Sequence, residues 1–183
     1  GVPMEVAMKA SMLEEVTKKN MPRIKQMAAN GPDKYPGINY IFKDGNPANS
    51  AGGNVLKLHK GGMTQERIDM NIIEGSKVKR HIMNGDIGLF NRAPSLHRQS
   101  VLAMRCKISE SKSLSMNPTV CIPFNADYDG DAMKLHFVQS EEAIDEAKRL
   151  MLLDKNIIHA RYGKLTVATD QDQTSGLYLL SHT

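Results

Sequence analysis

A chain of 183 residues, 40% of them hydrophobic and 24% charged, can build one domain or one domain and part of another, and is not disordered by composition. A net charge of +4 and a pI near 9.0 permit nucleic-acid contact without demanding it. No apolar run nears the roughly 18 residues of a membrane helix, no signal-peptide pattern opens the chain, and the two cysteines, Cys106 and Cys121, exclude a zinc site and a disulfide scaffold.

The cysteine usage predicts a reducing, cytoplasmic compartment, with both thiols as small half-buried residues. Twelve methionines and no tryptophan point to Met as filler of irregular core or interface space. The start at Gly1 and the close on Ser181-His182-Thr183 predict a piece of something longer.

In chain order, Met4–Leu13 carries apolar residues at helical spacing. Asn20 is placed to cap a second helix with Pro22 just inside it, and Gly31-Pro32 ends that helix. Gly, Pro, Asn and Asp then punctuate short runs. Ile38–Lys43 and Asn54–His59 alternate like half-buried strands, and Ile68–Ile73, Val78–Met83, Ile87–Asn91, Leu102–Ile108 and Val120–Phe124 read as further strands. Asn84-Gly85 marks a tight turn between two of them. Lys77, Lys79, Arg80 and His81 form a basic run expected on a solvated face. Ser140 caps a helix reaching about Leu153, with Glu141 and Glu142 at its positive end. A last helix runs from about Asp172 to Leu180. Many short strands without long helices between them predict an α+β, strand-rich, barrel-like architecture rather than a doubly wound sheet.

One constellation carries chemistry: Asn125-Ala126-Asp127-Tyr128-Asp129-Gly130-Asp131. Three carboxylates at i, i+2 and i+4 repel one another unless a cation joins them. Gly130 lets the backbone curl so that they can converge, and hard oxygen donors suit Mg²⁺. The bland alternative is a solvated acidic turn. An EF-hand counted from Asp127 needs Gly and an acid where Ala132 and Val138 stand, so that reading fails. A haloacid-dehalogenase-type phosphohydrolase needs Thr or Val at Asp131 and a long doubly wound domain downstream.

The loop NADYDGD is similar to the NADFDGD loop in the largest subunit of multisubunit DNA-directed RNA polymerases. Phe90–Ser100 (FNRAPSLHRQS) resembles that family's NRxPSLH element, Gly31–Asp44 its GP-x-x-x-PG-x-x-Y segment, and Lys77–Asp86 its KVERHI segment. Gln139–Ala143 and Gln171–Leu180 resemble the stretch that follows the loop. The flavour is closer to the archaeal and eukaryotic branch, archaeal by preference. Single-chain RNA-dependent RNA polymerases share the acidic loop but less of its surroundings; the element around Arg92 separates the two. Tyr128 departs from the family's Phe, and Ala132 from its Glu or Gln.

The resemblance implies a double-psi β-barrel core with flanking helices, an active-site domain over residues 1–139 and the start of a pore-lining domain over 140–183. It implies that Asp127, Asp129 and Asp131 are catalytic and hold Mg²⁺, a second Mg²⁺ arriving with the nucleotide, and that no zinc site lies in this segment. It also implies that Asn125 and Arg92 contact ribose hydroxyls, with an ion pair as the structural alternative for Arg92, while Pro94 shapes the turn beside it. His97 and Arg98 are assigned to packing or backbone contact, and His136 to a half-buried position. Implied partners are the second-largest and other polymerase subunits, DNA template, RNA transcript and NTPs, with no membrane. The setting is cytoplasmic, or nuclear in a eukaryote, with activity confined to the full assembly. The alternative is a non-catalytic nucleic-acid-binding or assembly module.

Overall fold

The computed structural model describes residues 1–47, 54–169 and 172–182. Its elements are β1 (Val2–Pro3), α1 (Met4–Lys9), β2 (Met12–Glu15), α2 (Met21–Asn30), β3 (Ile38–Phe42), β4 (Val55–Lys57), α3 (Gln65–Asn71) and β5 (Lys77–Arg80). There follow β6 (Ile87–Asn91), β7 (Val101–Arg105), β8 (Ile108–Ser109), α4 (Cys121–Phe124), β9 (Lys134–Phe137), α5 (Glu141–Glu146) and α6 (Asp172–Ser181). Two compact units emerge: residues 1–86 with 106–114, and residues 87–105 with 115–183.

In the first unit an antiparallel sheet runs in the order β2-β5-β3-β4, and β1 pairs in parallel with β8. The core joins Ile38 and Ile41 of β3 and Val78 of β5 to Ile24, Met27 and Ala28 of α2 and Ile68 of α3. Truncating any of these isoleucines to Ala costs about 2–5 kcal/mol, because surrounding atoms only partly refill the space. Gly31, at φ 67, ends α2 with its N–H on the carbonyls of Met27 and Ala28. It must be glycine for a second reason: a Cβ there would lie 2.7 Å from the Gly62 backbone.

The second unit carries the antiparallel sheet β7-β6-β9. Its core cluster comprises Ile87, Ala103, Ala147 and Leu152. Ser140 caps α5 by accepting from the Ala143 N–H at 3.3 Å. That helix is shorter than the spacing predicts, since it passes into a π turn over Ala147–Met151 and a 3₁₀ turn over Leu153–Lys155. The expected last helix is present as α6, whose Leu177, Tyr178, Leu179 and Leu180 are all exposed.

Several expectations need correction. Among the described residues the strands form separate sheets of two, four and three strands rather than a closed barrel, so the α+β class stands without the closure. Residues 68–73 are not a strand. Ile68 and Ile72 are both buried one helical turn apart while Met70 is 79% exposed, which is the signature of α3. Residues 120–124 are not a strand either: Val120 and Phe124 are buried at i, i+4 and Ile122 is exposed, giving a 3₁₀ turn that runs into α4. The helix from Met4 stops at Lys9, because Met12–Glu15 is drawn into pairing with Lys77–Arg80.

Asn20 sits at the N-cap position of α2 but does not bond that helix's free N–H groups. Its Oδ1 accepts from Thr17 N at 2.7 Å, and its amide donates to Glu14 and to the Glu15 carbonyl. Asn84-Gly85 does make a turn, with Gly85 at φ 92, but the flanking β5 and β6 belong to different sheets and form no hairpin.

The basic run is not a solvated face. Arg80 is 7% exposed and His81 fully buried, while Lys79 lies over the Phe42 ring at 5.6 Å. Arg80 donates to Glu14, to both oxygens of Asp86 (2.7 and 2.9 Å) and to the His81 carbonyl (2.9 Å). His81 accepts from Gly37 N at Nδ1 (3.1 Å) and sits 3.3 Å from Asn39 Oδ1 at Nε2. His136, on β9, is exposed rather than half-buried, since Leu135 and Phe137 take the inward positions of that strand.

Candidate functional site

The acidic loop is built by the two elements that bracket it. Asn117 opens the approach, accepting from Thr119 N at 3.1 Å, and Pro118 occupies the first turn. After α4 the chain must turn sharply. Asn125 does this at φ 47, the left-handed conformation that an Asn tolerates better than most residues. The Asn125 and Ala126 N–H groups close the helix on the Ile122 and Cys121 carbonyls at 3.0 and 3.1 Å. Gly130, at φ 107, supplies the second reversal within the loop. β9 then returns the chain to the sheet.

The register of β9 against β6 explains what faces the loop. Asn91 of β6 pairs with Lys134 of β9. Arg92, one residue past that pair, therefore comes beside the end of the loop, 39 residues away in sequence. Its Nε donates to Asp131 Oδ2 at 2.7 Å and a terminal nitrogen donates to Asp131 Oδ1 at 3.2 Å, a two-bond fork. The same carboxylate accepts the Asp127 N–H at 3.0 Å. Arg92, followed by that N–H, holds the Asp131 carboxyl below its ordinary range, and Asp131 in return raises the guanidinium, with the charge of Asp129 adding to it.

Asp127 Oδ1 accepts from Tyr128 N at 2.8 Å, and Asp129 is exposed in the loop. The extra hydroxyl of Tyr128 finds a partner: it donates to the Met116 carbonyl at 3.2 Å. A hydrogen bond with the Cys121 thiol, then burial, pushes this phenol up to about 12. Cys121, Asp127, Tyr128 and Asp172 line a cavity of about 220 Å³. Sequence reasoning missed this tether, and the Tyr hydroxyl in place of a Phe hydrogen was its only signal.

The other expected positions lie nearby in the chain. Pro94 is exposed and follows a cis peptide bond from Ala93. Asn125 ends α4, and its exposed side chain belongs to the mouth of the loop. His97 and Arg98 are local: His97 caps a 3₁₀ turn of residues 98–100, with its N–H on Ser100 Oγ at 3.4 Å. Ala132 is exposed directly after Asp131. Gln171, within the last matched segment, lies outside the described residues.

The donor set suits a hard divalent cation: three carboxylates on alternate positions, carried by a backbone with two left-handed reversals. Among the described residues, however, no three His, Cys, Asp or Glu side chains are gathered around one point. The arrangement seen is the one in which Arg92 engages Asp131. Among the described residues no helix is long and apolar enough to cross a membrane.

The chain is 44% identical over 182 residues to the DNA-directed RNA polymerase subunit Rpo1N of Sulfolobus acidocaldarius, covering 99% of this chain and 20% of the relative. It is 42% identical over 183 residues to the Rpo1N subunit of Thermococcus celer, covering 99% of this chain and 19% of that one. To the DNA-directed RNA polymerase III subunit RPC1 of Saccharomyces cerevisiae it is 40% identical over 184 residues, 100% of this chain and 12% of the relative. The chain thus spans about a fifth or less of the length of these relatives. The family model described as RNA polymerase Rpb1, domain 2, matches residues 1–153, and the chain belongs to that family, as a segment of a largest-subunit polypeptide of RNA polymerase.

Proposed function

We propose that this segment carries the catalytic loop of a DNA-directed RNA polymerase and takes part in Mg²⁺-dependent transfer of nucleotides to an RNA 3′ end on a DNA template. The observation that carries the reading is the juxtaposition of Arg92, from the NRAPSLH element, with Asp131, from the NADYDGD loop. Two motifs 39 residues apart meet at one carboxylate, which puts a cationic side chain on the acidic loop.

In this reading Asp127, Asp129 and Asp131 hold the metal. When bound, Mg²⁺ supplies Lewis-acid activation of the 3′-hydroxyl and charge neutralisation at the triphosphate, the second ion entering with the nucleotide. The chain's own residues position the reactants. Asn125 offers an amide that donates and accepts beside the acids without adding charge. Arg92 offers a fork of N–H groups to ribose oxygens, and Pro94 fixes the backbone next to it. Tyr128, tied to Met116 and Cys121, restrains the loop from which the carboxylates project.

The same reading assigns residues 1–139 to the active-site domain and 140–183 to the start of the next. It makes the second-largest subunit and the remaining polymerase subunits the partners, with DNA template, RNA transcript and NTPs as ligands. In it the strands complete a double-psi β-barrel in the full subunit, the enzyme is cytoplasmic or nuclear, and this segment alone is inert.

The test is primer extension by the assembled polymerase that contains this segment, with Asp127, Asp129 and Asp131 intact and then changed to Ala. The intact enzyme extends RNA in a Mg²⁺-dependent way, and the changed enzyme assembles but loses at least about a thousandfold in rate, the scale of preorganised electrostatic stabilisation. Equal rates would end the catalytic reading and favour an assembly or binding role.

A further inference from the structure

Arg92 is a competitor for the loop's own ligand. We infer that Asp131 serves two cations in turn, the Arg92 guanidinium in the arrangement seen here and a divalent metal ion when the loop is loaded, so that loading releases Arg92. This inference rests on the proposed reading of the loop as a metal holder.

The geometry sets the two cations in competition for one carboxylate. Arg92 engages both oxygens of Asp131, and the Asp127 N–H takes a further lone pair of Oδ2. A carboxylate offers about four acceptor positions, so three of them are committed. A chelated divalent ion needs one of these oxygens together with Asp127 and Asp129. On Oδ1, the oxygen with a position left, it would meet a guanidinium nitrogen held 3.2 Å from the same atom, and the two cations repel. Of the two, the guanidinium is the one on a flexible stem, and it is the one that gives way.

The pair is also built to exchange. Its side chains are 20% and 24% exposed, so water reaches both groups. The Arg92 backbone follows directly on Asn91, the last residue of β6, which is paired with Lys134. A freed guanidinium beside the acids is a fork for an anionic or hydroxyl-rich ligand, and an acid triad no longer paired internally is a cradle for the metal. By reciprocity, the metal and whatever the released Arg92 binds strengthen each other.

The experiment is a Mn²⁺ titration followed by electron paramagnetic resonance on the chain and on its Arg92→Gln and Arg92→Lys variants. Arg92→Gln binds Mn²⁺ about fivefold more tightly, the scale set by a well-aligned, partly exposed ion pair, and Arg92→Lys falls between. With Asp131→Asn as background, Arg92→Gln changes nothing. As a second readout, the Arg92 side-chain N–H resonance shifts toward that of a free arginine as Mg²⁺ is added to the unaltered chain, a measurement that decides the matter if Arg92→Gln loses its fold. Equal Mn²⁺ affinities in the folded variants, or a stationary Arg92 resonance while Mg²⁺ binds, overturn the inference and leave the metal reading standing. Mn²⁺ binding that ignores Asp127→Ala and Asp129→Ala, or no binding at all, removes the metal reading and the inference with it.

Discussion

Replacing Arg80 by Ala tests the internal electrostatics of the first unit. Arg80 ties three segments together: Glu14 on β2, Asp86 after the Asn84-Gly85 turn, and the His81 carbonyl. Its side chain is 9% exposed, against 17% for Glu14 and 13% for Asp86. Removing it leaves Asp86 without a cation in largely dry surroundings, while Glu14 keeps the Arg23 guanidinium and the Asn20 amide. The Met83 N–H still donates to Asp86 at 2.7 Å, and some water reaches both acids. The loss therefore falls at the lower end for a broken buried pair, about 3 kcal/mol. With a urea slope of about 1.5 kcal/mol/M for a domain of this size, the midpoint drops by about 2 M. Far-UV circular dichroism during urea unfolding measures it, and suits a chain without Trp. Arg80→Lys keeps the charge but loses the fork and costs about half as much. A midpoint shift under about 0.5 M for Arg80→Ala would mean that the pairs contribute nothing net, and the reasoning fails.

Other outcomes follow from the same structure. Burial holds His81 below its ordinary pKa, so the unfolded chain binds the proton more readily. Its contribution is complete above about pH 6.5 and is lost as pH falls below that value; urea midpoints across pH 5–8 should steepen there and flatten in His81→Gln. Gly62, at φ 73, would carry a Cβ 1.9 Å from the Ala29 carbonyl oxygen. Gly62→Ala must push the backbone aside and destabilise by about 2 kcal/mol or more, and an unchanged melting temperature would contradict this. Tyr128→Phe removes the hydroxyl that meets Met116 and Cys121. Amide exchange across Asp127–Asp131 should quicken about two- to fivefold, as for one modest hydrogen bond, while unchanged exchange would show that the tether does not restrain the loop.

The sequence was most legible where a single rule decided the outcome. Ile87–Asn91 is a strand with the expected bounds, and Ser140 caps the helix it was expected to cap. Where two periods compete, alternation along the chain is misleading. Ile68, Met70 and Ile72 alternate, and only the exposure of Met70 reveals that the buried pair is one helical turn apart. Val120, Ile122 and Phe124 repeat that ambiguity. The basic run misled for a different reason: Glu14, 66 residues from Arg80, lets the guanidinium be buried, and no local pattern records so distant a partner. At the candidate site, the residues and their order were readable from the motifs, whereas the pairing of Arg92 with Asp131 depends on the register of β9 against β6 and became visible only in three dimensions.

The parallel pairing of Val2 with Ile108 bears on how the protein is made. Val2 is wholly enclosed in the finished unit, yet its partner strand leaves the ribosome more than a hundred residues later. At about 5–20 residues per second the wait is on the order of 5–20 s. Throughout that interval the earliest residues of this segment to be synthesised remain unlocked, and the first unit cannot close until β8 emerges. Nascent chains stalled before residue 108 should expose this amino-terminal stretch to chaperones and proteases, and chains stalled beyond it should not.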